Sequence, residues 1–151
     1  MPRPSEFDPL ALLLAGHKQT RQQLGVLGSA NGAQAIAWFD HTASQQREIL
    51  ESGVFPALIE SMAGSDAVCL KGMTRGLTEQ SHVLAHQWPA IRQALQTTPG
   101  QNSETTQRWI QDYLTYLQCA DEDLLPMAQR LLDDAALQDI EARYTQAFAQ
   151  G

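Results

Sequence analysis

Apolar positions divide the chain into five stretches with helical spacing, and no stretch alternates as a strand does. Leu10, Leu13, Leu14, His17, Thr20, Arg21 and Leu24 fall on one face of a first helix. Asp8-Pro9 opens it. Asp is a good N-cap, and Pro at the first helical position gives up only an N–H that would have no partner inside the helix. Gly25, Gly28 and Asn31-Gly32 end the pattern. A second stretch starts near Ala33 and repeats Ile36, Phe39, Ala43, Gln46, Leu50, Val54 and Leu58, three and four apart, as a bundle seam does. The third carries Leu70, Leu77, Leu84 and Ile91 in one row, with Thr74, Ser81, Trp88 and Leu95 beside it. The fourth begins after Ser103 and shows Trp109, Tyr113, Tyr116, Ala120, Met127 and Leu131 on one face. Asp133-Asp134 caps a short last helix through Leu137, Ile140, Tyr144 and Phe148.

Pro56, Pro89 and Pro126 fall inside the second, third and fourth stretches and predict kinks there. Gly64-Ser65-Asp66 reads as a turn with Ser65 or Asp66 as the next cap, and Thr97 to Asn102, with Pro99-Gly100, as a loop. Met1 to Phe7 reads as a loose arm. The pattern predicts an all-α fold: a single domain over residues 1–151, built as an up-down-up-down four-helix bundle with a short C-terminal fifth helix.

Composition narrows the partners. Seventeen acidic against ten basic residues give a net charge of −7, without the basic excess that a nucleic-acid footprint needs. The apolar run Leu10 to Ala15 is too short for a membrane span or a signal core, and Glu6 and Asp8 precede it. No membrane association is expected, and the cytoplasm is the expected location. Cys69 and Cys119 have no CxxC spacing and read as small buried hydrophobes in a reducing compartment. No internal repeat stands out.

Candidate chemistry is sparse. His82 and His86 are four apart with Glu79 nearby, which is a helical metal spacing. At about 100° per residue, however, both histidines point away from the face of Leu77, Ser81, Leu84 and Trp88 and read as solvent-facing. His41 turns away from its seam in the same manner. Glu48, Asp121 and Glu122 also read as outward, while Asp123 falls back toward the core side. No Ser/His/Asp or Cys/His set shares an inward face, inward carboxylates are not paired, and Gly28, Gly32 and Gly76 are isolated rather than part of a phosphate loop. No enzymatic activity is expected. Met73, Met127, Trp88, Trp109 and Tyr113 read as core.

Several frames together resemble the hemerythrin-like (HHE, cation-binding) family. They are Asp8-Pro9-Leu10 through His17, Val54-Phe55-Pro56-Ala57-Leu58, Leu77 through Trp88, and Tyr116 through Leu124-Leu125-Pro126-Met127-Ala128. The resemblance spans roughly Asp8 to Tyr144 and implies a helical bundle that holds a di-iron centre, used for oxygen or nitric-oxide binding, iron sensing or repair of iron centres. Carried over position by position, the first ligand is kept as His17. The helix-two His and Glu become Gln46 and Leu50, the helix-three His becomes Ser81, and the helix-four His and Glu become Tyr116 and Ala120. A shift of one residue in helix three would put His82 in place of Ser81. Some family members put the carboxylate one residue later, which here is Asp121. Leu50 and Ala120 cannot ligate iron, and Gln46, Ser81 and Tyr116 are poor ligands for it. The expectation is therefore no cofactor and no bound metal. The frame would survive as a structural, regulatory or partner-binding module, or as a homo-oligomer. The alternative is a small ligand, or a weakly held iron, in the bundle interior around His17 with Asp121 or Asp123.

Overall fold

The computed structural model describes residues 8–61, 65–98 and 103–148. The expected N-terminal arm, the turn at Gly64 with its Ser65 and Asp66 caps, and the Pro99-Gly100 loop centre lie outside the described residues and side chains. Five helices account for nearly everything described, and there is no strand among the described residues. They are α1 (Pro9–Leu27), α2 (residues 36–61), α3 (Ser65–Thr97), α4 (residues 104–131) and α5 (Asp134–Phe148). None of them is long and apolar enough to cross a membrane.

Local chemistry sets the helix starts. Asp8 Oδ1 accepts from the backbone N–H of Leu10 at 3.0 Å and of Ala11 at 3.4 Å, satisfying donors that the first turn leaves open. Ser103 Oγ accepts from Thr106 N at 3.1 Å, and Asp133 Oδ1 from Ala136 N at 2.9 Å. A 3₁₀ turn, Gly32–Ala35, leads into α2. It passes so close to the end of α1 that a Cβ on Gly32 would sit 2.5 Å from the carbonyl oxygen of Leu27, so only glycine fits there.

α2 and α4 are compound. α2 contains two π turns, Trp38–Thr42 and Leu50–Val54, and α4 contains one, Ala120–Leu124. In each, the closing N–H reaches back five residues: Ala43 to Trp38, Phe55 to Leu50, and Leu125 to Ala120. Two of the three stand immediately before Phe55-Pro56 and Leu125-Pro126. Proline has no N–H and its ring crowds the carbonyl four residues back. A turn widened by one residue directly precedes each of these two prolines. α3 runs uninterrupted through Pro89.

One core joins all five helices. Leu13 and Leu24 come from α1, Leu50, Val54 and Leu58 from α2, Leu70, Leu77 and Leu84 from α3, Tyr113, Tyr116 and Leu124 from α4, and Ile140 from α5. Trp109 and Tyr113 are buried as expected, while Met73, Trp88 and Met127 are half-buried against the core. α5 lies along α1 and α2, tied by Gln45 Nε2 donating to Ala147 O at 2.8 Å. The two cysteines depart from expectation, for Cys69 is exposed and Cys119 only half-buried.

Candidate functional site

The six positions singled out on the seam are all interior. Leu50, Tyr116 and Ala120 have no exposed surface, and His17, Ser81 and Gln46 expose only a few per cent. In helix three it is Ser81 that faces inward, beside His82, which is 70% exposed. His41, His86, Glu48 and Glu122 are exposed, as the helical angles predict.

The π turns overturn part of the angular reading. Each adds one residue to its turn, so a position counted as outward on a straight helix swings inward. Asp121 was expected outside and is only 10% exposed, while Asp123, expected on the core side, is exposed. Glu51 and Asp40, in the other two π turns, also turn inward, with 22% and 21% of their side chains exposed. The interior thus holds three carboxylates where no pair of inward carboxylates was expected.

Each carboxylate has its own surroundings. Asp121 takes His17 Nδ1 at 2.6 Å on Oδ1 and Arg21 Nη2 at 2.6 Å on Oδ2, so one acidic group ties two positions of α1 to α4. Asp40 accepts from Trp88 Nε1 at 2.7 Å and from Arg92 Nε at 3.1 Å, joining α2 to α3. Glu51 has Oε2 3.7 Å from His82 Nε2, and its Oε1 is buried without a hydrogen-bond partner.

Gln46 is fixed by a relay across α1 and α2. Trp38 Nε1 donates to Thr20 Oγ1 at 3.0 Å, and the Thr20 hydroxyl donates to Gln46 Oε1 at 2.7 Å. Gly16 makes room for the amide: a Cβ there would sit 2.7 Å from Gln46 Nε2.

Tyr113 and Tyr116 form the other polar corner. Arg47 Nη1 donates to the Tyr113 hydroxyl at 2.9 Å. The Tyr116 hydroxyl lies near Ser81, yet no group meets it at hydrogen-bond geometry. Burial pushes the Tyr116 phenol well above its ordinary range, and the neighbouring Tyr113 and Glu51 push in the same direction. Burial also raises Tyr113, against the opposing pull of Arg47.

These residues do not fit a di-iron centre. Leu50 and Ala120 bring no donor atom, His17 shares its carboxylate with a guanidinium, and Gln46 is spent on Thr20. Among the described residues no three His, Cys, Asp or Glu side chains converge as a metal site requires. The alternative with Asp123 as a partner of His17 fails because Asp123 faces solvent, and the surface pair His82 and His86 gathers no third ligand.

Glu51, Asp40 and Arg47 were not anticipated as inward-facing polar groups, whereas Arg21 stands on the helix-one face where it was expected. One signal for Glu51 was present. It stands five residues before Pro56 as Asp121 stands five before Pro126, in the parallel frames Leu50-Glu51 to Phe55-Pro56 and Ala120-Asp121 to Leu125-Pro126. This is a short internal correspondence in a chain read as having no repeat. Comparison with family models, with curated proteins and with solved structures returns no match.

Proposed function

We propose that this chain is a hemerythrin-like four-helix bundle, running up-down-up-down with α5 as its added helix, whose metal-ligand positions have been given over to packing and hydrogen bonds. It acts as a binding, regulatory or structural module, not as an iron or oxygen carrier or an enzyme. The observation that carries this reading is the set of buried groups at the six ligand positions. His17 is held by Asp121, Gln46 by Thr20, and Leu50 and Ala120 are wholly apolar and fully enclosed. A buried carboxylate at Leu50 or Ala120 would need a cation to offset its desolvation, whereas apolar side chains there need none. The acidic net charge supports protein or small-molecule partners over nucleic acid, and a cytoplasmic setting remains part of the proposal.

Elemental analysis after aerobic and anaerobic iron loading, with an optical spectrum alongside, tests this. The expected result is iron far below one atom per chain and no charge-transfer band. Leu50→Glu is expected to take up no more, because the histidine positions stay empty. Two irons per chain would overturn the reading.

A second reading, a small ligand in or beside the interior, is favoured by the unpartnered Tyr116 hydroxyl and Glu51 Oε1. It moves the binding locus away from His17, whose Nδ1 Asp121 already holds.

A further inference from the structure

We propose that the solvent face of α3, with the adjoining edge of α4, pairs two copies of this chain about a two-fold axis at Val83, the two α3 helices running antiparallel. Val68 and Val83 are the exposed large hydrophobic residues among the described residues, at 74% and 53%, and both stand on α3. At about 100° per residue, Val68, Gly72, Gly76, Val83, Ala90 and Ala94 share one sector about 80° wide, turned away from the core row of Leu70, Leu77 and Leu84. Glu79 and His86 lie at one edge of that sector.

Two glycines on this face have no use within the chain. Gly72 and Gly76 lie in the interior of α3, where glycine is the costliest residue after proline. A Cβ at either position would meet no atom within 4 Å, so the fold itself does not require them. Bare glycine does serve where another backbone must come close. Here that approach is from outside the chain.

The partner is a second copy because the face is complementary to itself. Gly76 and Ala90 stand seven residues on either side of Val83, and Gly72 and Ala94 eleven on either side. Seven and eleven residues are close to whole numbers of helical turns, so all five positions stay near one line. In an antiparallel pair centred on Val83, the two valines meet, and each glycine comes opposite an alanine of the other copy. Charge fits the same pairing. Asp112 lines the α3–α4 groove beside Val83, and Arg108 follows it one turn away along the same groove. Both are exposed, and among the described residues neither is in an ion pair. Antiparallel α4 edges set Arg108 of each copy against Asp112 of the other, two attractions between chains that each carry −7. From Val68 to Ala94 the stripe is about 40 Å long, and two helices are about 20 Å wide, which approaches the roughly 800 Å² per partner of a stable interface.

This inference deepens the reading of the bundle as a binding module by naming its partner. Iron analysis tests that reading and association state tests this one, so each can fail alone. Sedimentation velocity of the full chain from about 1 to 500 μM is the experiment, with a dimer expected at a Kd below about 50 μM. Gly76→Gln should act in two opposite directions. It raises the thermal midpoint of the dilute monomer, because a better helix former replaces glycine in open space, and it weakens the dimer at least about tenfold. Val83→Glu should weaken the dimer as much. Arg108→Asp should weaken it several-fold, and adding Asp112→Arg should restore it to within about threefold of the wild type. Mild oxidation should link two chains through Val83→Cys in a Cys69→Ser background. Wild-type Cys69 should not link, since antiparallel copies hold the two thiols about 40 Å apart. A chain that stays monomeric at about 500 μM would overturn the proposal and leave this face to a different partner. A dimer indifferent to both Gly76→Gln and Val83→Glu would overturn it too, and ready linkage through Cys69 would refute the antiparallel arrangement.

Discussion

Asp121 satisfies a histidine and an arginine with one carboxylate, and removing it exposes how much the interior depends on that arrangement. In Asp121→Ala, His17 stays buried with no acceptor, while Arg21, 36% exposed, can swing to water. Leaving a buried polar group without its hydrogen-bond partner costs about 1–3 kcal/mol, and with Arg21 free to turn to water the expected loss is about 2–3 kcal/mol. Asp121→Asn keeps an acceptor for His17 and should lose about half as much. Urea denaturation of the three proteins measures this; a loss below about 1 kcal/mol for Asp121→Ala would show that the pair contributes little to stability. The same residue marks the limit of reading helical angles from sequence. Thr20, Gln46, Ser81 and Tyr116 face inward as a constant 100° step predicts, because each lies on a regular α-helical stretch. Asp121 and Asp123 exchange roles because they lie within a wider turn.

At the scale of elements, the helices and most of their starts are legible in sequence, since caps and periodicity are local properties. Asp8, Ser103 and Asp133 all cap as their side chains allow. The π turns are not legible in the same way. Pro56 and Pro126 announce a disturbance, but packing on both sides decides whether the helix bends or widens. If Ala120–Leu124 is an α turn with one residue added, taking that residue out should leave the flanking helix in phase. Deleting exposed Glu122 keeps Leu125 N and Ala120 O as donor and acceptor, now four residues apart instead of five. Deleting exposed Thr115 from the regular part of α4 instead rotates everything beyond it by about 100° and drives Tyr116 and Leu117 off the core face. The Glu122 deletion is expected to unfold cooperatively within about 2 kcal/mol of the wild type, and the Thr115 deletion to lose its cooperative transition. Equal damage from both would show that the π turn is not an inserted residue.

For the whole molecule, the distinguishing construction is an aromatic wall that joins three helices and ends in two buried phenols. Phe39 of α2 sits 5.5 Å, centroid to centroid, from both Trp88 and Trp109 and 5.6 Å from Tyr113, and Tyr113 is 5.9 Å from Tyr116. The apolar character of this wall was legible. Its titration was not, because that depends on burial and on Arg47 and Glu51 arriving from another helix. Both phenols have folded-state pKa values raised above the ordinary value near 10. Below about pH 10 both states keep these protons, and the tyrosines add no pH dependence. As pH rises beyond that, the unfolded chain releases them before the folded chain does, so stability falls, by at most about 1.4 kcal/mol per pH unit for each tyrosine. Tyr116→Phe removes one of the two contributions. It should cost little at neutral pH, since the lost hydroxyl has no partner to leave unsatisfied. Denaturant stability measured from about pH 8 to pH 12, with phenolate absorbance recorded in parallel, should show the variant losing stability less steeply than the wild type above pH 10. Identical slopes would mean that Tyr116 ionises in the folded protein as freely as in the unfolded chain, and that the corner beside Glu51 admits water.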